Sequence, residues 1–429
     1  MSIASFIHSS GVRNFAKLLS ANVVAQVIGL IVYPILTRIY TPEDFGLLNL
    51  FLSIANVLVI LAIADYYYAI VLPKDEKHAV SLTQISFLCL LVTVGLVAIS
   101  SVFANPISKL FNTPALAQYY WMLPIYILAM GTWNILNYWY IRQKMFGHIS
   151  GFQITQSVLS SGGKIGLGYA GLLNGGMIYS AVIAPIVSLF LSFSFNLRRT
   201  IVPLRNVSWK DILEQGKRYR NFPLFVLPRS FINVLAGQMP VLLLTPFFGA
   251  KYVGLLSMAI LLGYTPICTI SRAVYQVLYQ YITDCVHQSL CIGKIFRRFI
   301  SCGSLVIIPA FALLYVVLPD LTGWLLGSEW YVVGKYIRWM LPWLYVSLLT
   351  GSICFLSDVF QKQKIGLVFE ILLVFGRLLG LCIGVFFNDF MVAIAAYSIG
   401  TAVAIIPQLI WLISLVVKYD RSLVVGSDN

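Results

Sequence analysis

The chain has 429 residues, of which 59% are hydrophobic and 10% charged, with a formal net charge of +14 at pH 7. Soluble domains carry roughly 25% charged residues, so a water-soluble globule is excluded. The cations sit between long apolar runs rather than on one polar face, so orientation in a membrane accounts for them better than nucleic-acid binding does.

Twelve apolar runs are each long enough to cross roughly 30 Å of hydrocarbon. They are 15–37, 47–72, 80–104, 116–141, 149–173, 177–197, 222–246, 253–279, 299–319, 337–361, 366–387 and 390–417. Each is expected to be helical, because lipid offers backbone amides no partner. Arg13 and Lys17 precede a first run too long for a cleaved signal, which reads as an uncleaved anchor. The expected fold is therefore all-α and integral to a membrane, with about twelve transmembrane helices.

An even count places both termini on one side. Alternating the loops puts twenty cations with the tails. Five (Arg38, Lys109, Lys251, Lys335, Arg338) fall opposite, and four (Lys164, Arg229, Arg272, Arg377) fall inside spans, which accounts for all 29. This bias points both termini to the cytoplasm.

Local chemistry marks the boundaries. Thr41-Pro42-Glu43-Asp44 offers an N-cap hydroxyl, proline at N1 and a carboxylate at N3, a capping box opening the second span. The connector 198–221 carries Arg198, Arg199, Arg205, Lys210, Lys217, Arg218 and Arg220 against Asp211 and Glu214. Ser208 and Asp211 repeat the capping spacing, which predicts a short helix over 209–219 on the membrane surface. The connector divides the chain into an N-terminal lobe 1–197 of six spans and a C-terminal lobe 222–429 of six spans with a short tail.

The halves echo each other. Thr37 to Phe45-Gly46-Leu47-Leu48 recurs 208 residues later as Thr245 to Val253-Gly254-Leu255-Leu256, and Gly163-Lys164 recurs as Gly376-Arg377. Six spans is an even number, so the halves share orientation about an axis along the membrane normal, as in transporters with a pathway between lobes.

The stretch Thr37-Arg38-Ile39-Tyr40-Thr41-Pro42-Glu43-Asp44-Phe45-Gly46-Leu47 resembles the signature of the polysaccharide biosynthesis proteins. These are the O-antigen and oligosaccharide-unit flippases of the multidrug/oligosaccharidyl-lipid/polysaccharide exporter superfamily. Asp75-Glu76, Leu326-Gly327-Ser328-Glu329-Trp330 and the twelve-span layout are similar too. The resemblance implies two six-helix bundles in a V. It also implies passage of an undecaprenyl-pyrophosphate-linked sugar unit across a bacterial inner membrane by alternating access, with helices one, two, seven and eight lining the cavity. A lipid-linked oligosaccharide, membrane lipids and other polysaccharide-assembly membrane proteins are the expected partners.

Charges inside the spans carry the site expectations. A basic residue at mid-bilayer costs roughly 2.5–3.5 kcal/mol on insertion scales, so each needs water, a partner or an anionic ligand. Arg229, Arg272 and Asp65 each lie about seven residues inside a predicted cytoplasmic helix end, roughly 10 Å deep. Arg229 and Arg272 are expected to bind the pyrophosphate bidentately, with Asp65 pairing with them or carrying a coupling proton. The bland alternative is a structural Asp–Arg pair or snorkelling cations. Lys164 and Arg377 lie deeper, lining the cavity or packed with polar partners. Glu370 stands two turns from Arg377, as its partner, as an ion carrier or as a solvated anion. Proton and sodium coupling are both left open.

Gly162 and Gly166, and Gly376, Gly380 and Gly384, form faces on which helices pack closely. Tyr66, Tyr67, Tyr68, Trp133, Tyr138, Trp139, Tyr140, Tyr275 and Tyr279 read first as an interfacial aromatic belt and second as sugar-stacking platforms. Pro266 is the best placed hinge.

Other chemistry lacks a signal. Gly162-Gly163-Lys164-Ile165 misses the glycine spacing and hydroxyl of a P-loop. Seven cysteines follow no metal or disulfide spacing, and no catalytic triad is visible. No enzyme, cofactor, metal or nucleic-acid role is expected. Within the superfamily, a drug or ion antiporter would favour acids in its cavity, whereas these membrane charges lean basic. A peptidoglycan-precursor flippase remains the nearer alternative. A membrane polysaccharide polymerase would need large outward loops, and the longest here, 320–336, is short.

Overall fold

The computed structural model describes residues 31–194 and 207–427. Most of the first predicted span lies outside them, as do Arg13, Lys17, Arg198, Arg199 and Arg205; that span continues as helix over 31–39. Among the described residues the chain is nearly all helical, with no strand.

The long helices are α1 (Pro42–Ile63), α2 (Glu76–Ser100), α3 (Met122–Arg142), α4 (Phe146–Tyr169), α5 (Leu173–Ser194), α6 (Trp209–Arg218), α7 (Leu227–Ala259), α8 (Thr265–His287), α9 (Gly293–Leu326), α10 (Tyr331–Ile353), α11 (Gln363–Phe386) and α12 (Phe390–Ser427). Among the described residues, eight helical stretches are long and apolar enough to cross a membrane, and one of them, Phe222–Val286, holds two predicted spans. Apolar side chains such as Leu91, Val92, Leu96 and Ile99 on α2, and Leu305, Val306 and Leu313 on α9, are exposed. Such surfaces belong against acyl chains. The protein is a multi-pass membrane protein.

Helix starts follow the expected chemistry. Thr41 accepts from the Asp44 amide at 3.3 Å, and the Asp44 carboxylate accepts from the Thr41 amide at 2.8 Å and hydroxyl at 2.9 Å. The capping box is complete, with Pro42 at N1. Ser208 caps α6 in the predicted surface helix. The Asp420 carboxylate, on α12, accepts from the amides of Ile292 at 2.8 Å and Gly293 at 2.7 Å, closing the start of α9.

Four expectations change. The second span is not one helix to residue 72: α1 stops at Ile63, and Ala64 and Asp65 both take left-handed backbone angles before a 3₁₀ turn over Tyr66–Val71. The loop expected at 247–252 contracts to a kink at Gly249, whose φ of 80° a side chain would resist. Helix α8 runs eight residues past the predicted end at 279, to His287. The tail after 417 continues as helix in α12.

Two π-helical turns, Phe222–Val226 and Ile260–Tyr264, stand just before Pro228 and Pro266. Each proline lacks the amide that would bond four residues back, and the widened turn absorbs that loss.

The chain divides into a first unit ending at Gly254 and a second from Leu255. In the first, Trp133 stacks on Phe152 with centroids 3.4 Å apart, and Trp139 and Tyr140 are fully buried. Trp133, Trp139 and Tyr140 are core rather than interfacial belt. In the second, α11 and α12 touch backbone to backbone. A Cβ on Gly376 would meet the Gly400 carbonyl at 2.7 Å, one on Gly380 would meet that of Ala396 at 2.5 Å, and Gly384 faces Ala393. On α4 the close-packed glycines are Gly163, against Ser180, and Gly168, against Ile39 and Tyr40. Gly162 and Gly166 face open space, contrary to expectation.

Candidate substrate and ion site

The break after α1 buries an acid. Asp65 is 0% exposed, and neither of its carboxylate oxygens has a hydrogen-bond partner. Ser230 on α7, next to Arg229 in sequence, stands beside the carboxylate. Two consecutive non-glycine residues at φ 48° and 53° store strain that only surrounding packing can hold.

That packing is aromatic. Tyr67 stacks on Tyr68 with centroids 4.2 Å apart, and Tyr138 on α3 meets both edge-on at 4.9 and 5.0 Å. The 3₁₀ turn over Tyr66–Val71 also packs on α2, on α3 and on the π turn over Phe222–Val226. The sequence singles out Asp65 as an acid inside a span, but not its strained backbone.

Two tethers hold this segment, and sequence reasoning missed both. Arg142, at the end of α3, donates to the carbonyls of Ile70 at 3.2 Å, Pro73 at 2.5 Å, Lys74 at 3.3 Å and Asp75 at 3.4 Å. It counted only as one more cytoplasmic cation, although an arginine in a last helical turn is well placed to bind carbonyls. The Tyr66 hydroxyl donates to the Gly216 carbonyl of α6 at 3.1 Å. Helix α6 is further held to α2 by Lys77, whose ammonium lies 2.7 Å from the Asp211 carboxylate. That contact keeps the Asp211 carboxyl below the usual carboxylate range.

Arg229 is exposed on α7, three residues past the π turn, and forms no ion pair among the described residues. The alternative of a structural pair with Asp65 is therefore not realised. Arg272 on α8, in the second unit, is likewise exposed and unpaired, beside buried Ser271. Because α8 ends at His287, Arg272 lies fifteen residues, or about 22 Å, from the helix end rather than the expected seven.

Lys164 on α4 is partly buried, and its backbone carbonyl accepts from the Tyr40 hydroxyl at 2.6 Å. Arg377 on α11 does not pair with Glu370, which is exposed. Its guanidinium instead lies 6.0 Å from the rings of Trp343 and Tyr397. Among the described residues no group of histidine, cysteine and carboxylate side chains is arranged to hold a metal.

Solved structures share this multi-span helical fold. The chain is similar to an inward closed conformation of the lipid II flippase MurJ, with TM-score 0.70 and 14% identity over 95% of this chain and 91% of that one. It is also similar to an inward-facing multidrug resistance MATE family transporter of the MOP superfamily, with TM-score 0.64 and 15% identity over 92% and 96%. An outward-facing MATE structure gives 0.57 and 16% over 94% and 96%. No curated protein matches the sequence. Residues 35–334, more than half of the chain, match the family described as polysaccharide biosynthesis protein, and the chain belongs to that family.

Proposed function

We propose that this protein is a flippase that carries an undecaprenyl-pyrophosphate-linked oligosaccharide, an O-antigen-type repeat unit, from the cytoplasmic to the periplasmic leaflet of a bacterial inner membrane. Both termini lie in the cytoplasm, and lobes 1–197 and 222–429 on either side of the connector expose the site alternately. Arg229 and Arg272 receive the pyrophosphate, since guanidiniums bind phosphate oxygens in pairs and stay charged when dehydrated. Lys164 lines the same route. Asp65 carries the coupling proton; Glu370 is the weaker carrier because it is exposed.

The observation that carries the reading is the state of Asp65: sealed from solvent, free of any cation, on strained backbone in the unit that holds unpaired Arg229. A buried carboxylate with no partner is far cheaper protonated than charged, so each ionisation must accompany a change in its surroundings.

The test is complementation of sugar-unit export. Arg272→Ala and Arg229→Ala are expected to abolish export at unchanged membrane abundance, and full export by either variant removes that residue from the site. The likeness to a lipid II flippase favours a second reading, a peptidoglycan-precursor flippase. It would be supported if the chain rescued loss of precursor export and not loss of O-antigen export.

A further inference from the structure

A guanidinium without an acceptor stands inside the second unit. Arg377 projects from α11 with its Cζ 6.0 Å from the ring centroid of Trp343 on α10 and 6.0 Å from that of Tyr397 on α12. Trp343 is 1% exposed and Tyr397 5%. Tyr264, the last residue of the π turn before α8, stacks on Trp343 with centroids 5.0 Å and planes 22° apart. Tyr397 meets Trp343 edge-on at 5.5 Å and 83°. Rings from α10 and α12 thus meet one cation from α11, and a third ring, that of Tyr264, backs Trp343.

Ring faces attract the charge, but they do not satisfy five directed N–H donors. The Arg377 Nε is buried with no hydrogen-bond partner, and so is the Trp343 Nε1. Arg377 forms no ion pair among the described residues. Two orphaned donors, one of them on a cation, therefore sit on neighbouring side chains. Buried donors of this kind are normally matched.

We infer that Arg377 and Trp343 are the donor half of a binding site for a small inorganic anion of halide size, held within the second unit. The guanidinium carbon lies 6.0 Å from the centroid of the indole ring, so the two donors belong to neighbouring side chains, and the rings packed around them favour a small ion over an extended one. A water molecule would answer the donors but leave the charge uncompensated; an anion answers both needs. A sugar is a poor fit, because Tyr264 already covers a face of Trp343 and Tyr397 closes its edge. The anion would tie α10 to α11 where α12 and the π turn also meet. This inference stands whether or not the protein is a flippase.

The experiment uses the purified full chain in detergent, exchanged into gluconate at constant ionic strength. Chloride is expected to raise the melting temperature saturably in the wild type, and Arg377→Gln is expected to lose that rise. Iodide is expected to quench a saturable part of the tryptophan fluorescence that chloride competes away and that Trp343→Phe lacks. A melting temperature indifferent to chloride against gluconate overturns the proposal, and that comparison needs no variant to fold. Linear, non-saturating iodide quenching that is equal in wild type and Trp343→Phe also overturns it. If phosphate or pyrophosphate displaces iodide at lower concentration than chloride does, the halide assignment is wrong and Arg377 belongs to the substrate site.

Discussion

Gly46 and Gly254 make reciprocal contacts: a Cβ on Gly46 would overlap the Ala250 carbonyl, and one on Gly254 would overlap the carbonyl of Pro42. Pro42 and Ala250 are 208 residues apart, and so are Gly46 and Gly254. The two copies of the sequence repeat therefore pack on each other through equivalent residues, each glycine against the backbone four positions before the other. Because the obstacle is backbone on both sides, Gly46→Ala and Gly254→Ala are each expected to destabilise by about 1–3 kcal/mol, as overpacked substitutions do. The double variant should fall short of the sum, since both probe one contact. Melting temperatures of the four proteins measure this.

Asp65→Asn should separate stability from transport. Asparagine resembles the protonated acid without the cost of keeping a carboxyl neutral at pH 7, so the variant is expected to melt at or above the wild-type temperature. Export should nevertheless fail, because the amide cannot exchange a proton. A variant that transports normally under an imposed pH gradient would exclude Asp65 as the carrier.

Arg142 binds four carbonyls after the Asp65 turn, and lysine cannot reproduce a planar fork. Arg142→Lys and Arg142→Ala are both expected to lower stability, by about 1.5–3 kcal/mol for lost hydrogen bonds to a charged group. Faster amide exchange confined to residues 66–75 is the local signature to measure.

The docking of α6 carries a pH dependence of definite sign. Lys77 holds the Asp211 carboxyl below its ordinary range, so the folded form binds that proton more weakly than the unfolded one. The stabilising contribution is present above the unfolded value, about 3.9, and is lost as pH falls through the lower folded one. A spin label at exposed Glu214 should be immobilised at neutral pH and freed in acid, and Asp211→Asn should be freer at neutral pH and lose that change. High salt should weaken the contact, since it is solvent-exposed.

Features encoded by neighbours in sequence were legible, and those made by distant packing were not. The Thr41–Asp44 cap, the α6 helix and the glycine face of α11 are local, so composition and spacing found them. The break at Ala64-Asp65 has no glycine or proline to announce it; it exists because Arg142, Tyr138 and the turn before α7 surround it. On α4, four-residue spacing offered Gly162 and Gly166, but the partner helix selects Gly163 and Gly168. Arg377 was visible as a costly charge, yet its aromatic surroundings come from residues 264, 343 and 397, far apart in the chain.

The most direct test of the proposed function is translocation of radiolabelled polyprenyl-pyrophosphate oligosaccharide in proteoliposomes, with and without an imposed pH gradient. Gradient-stimulated movement by the wild type, lost in Arg229→Ala, Arg272→Ala and Asp65→Asn, is the predicted result. Movement that ignores the gradient and survives all three substitutions would contradict it.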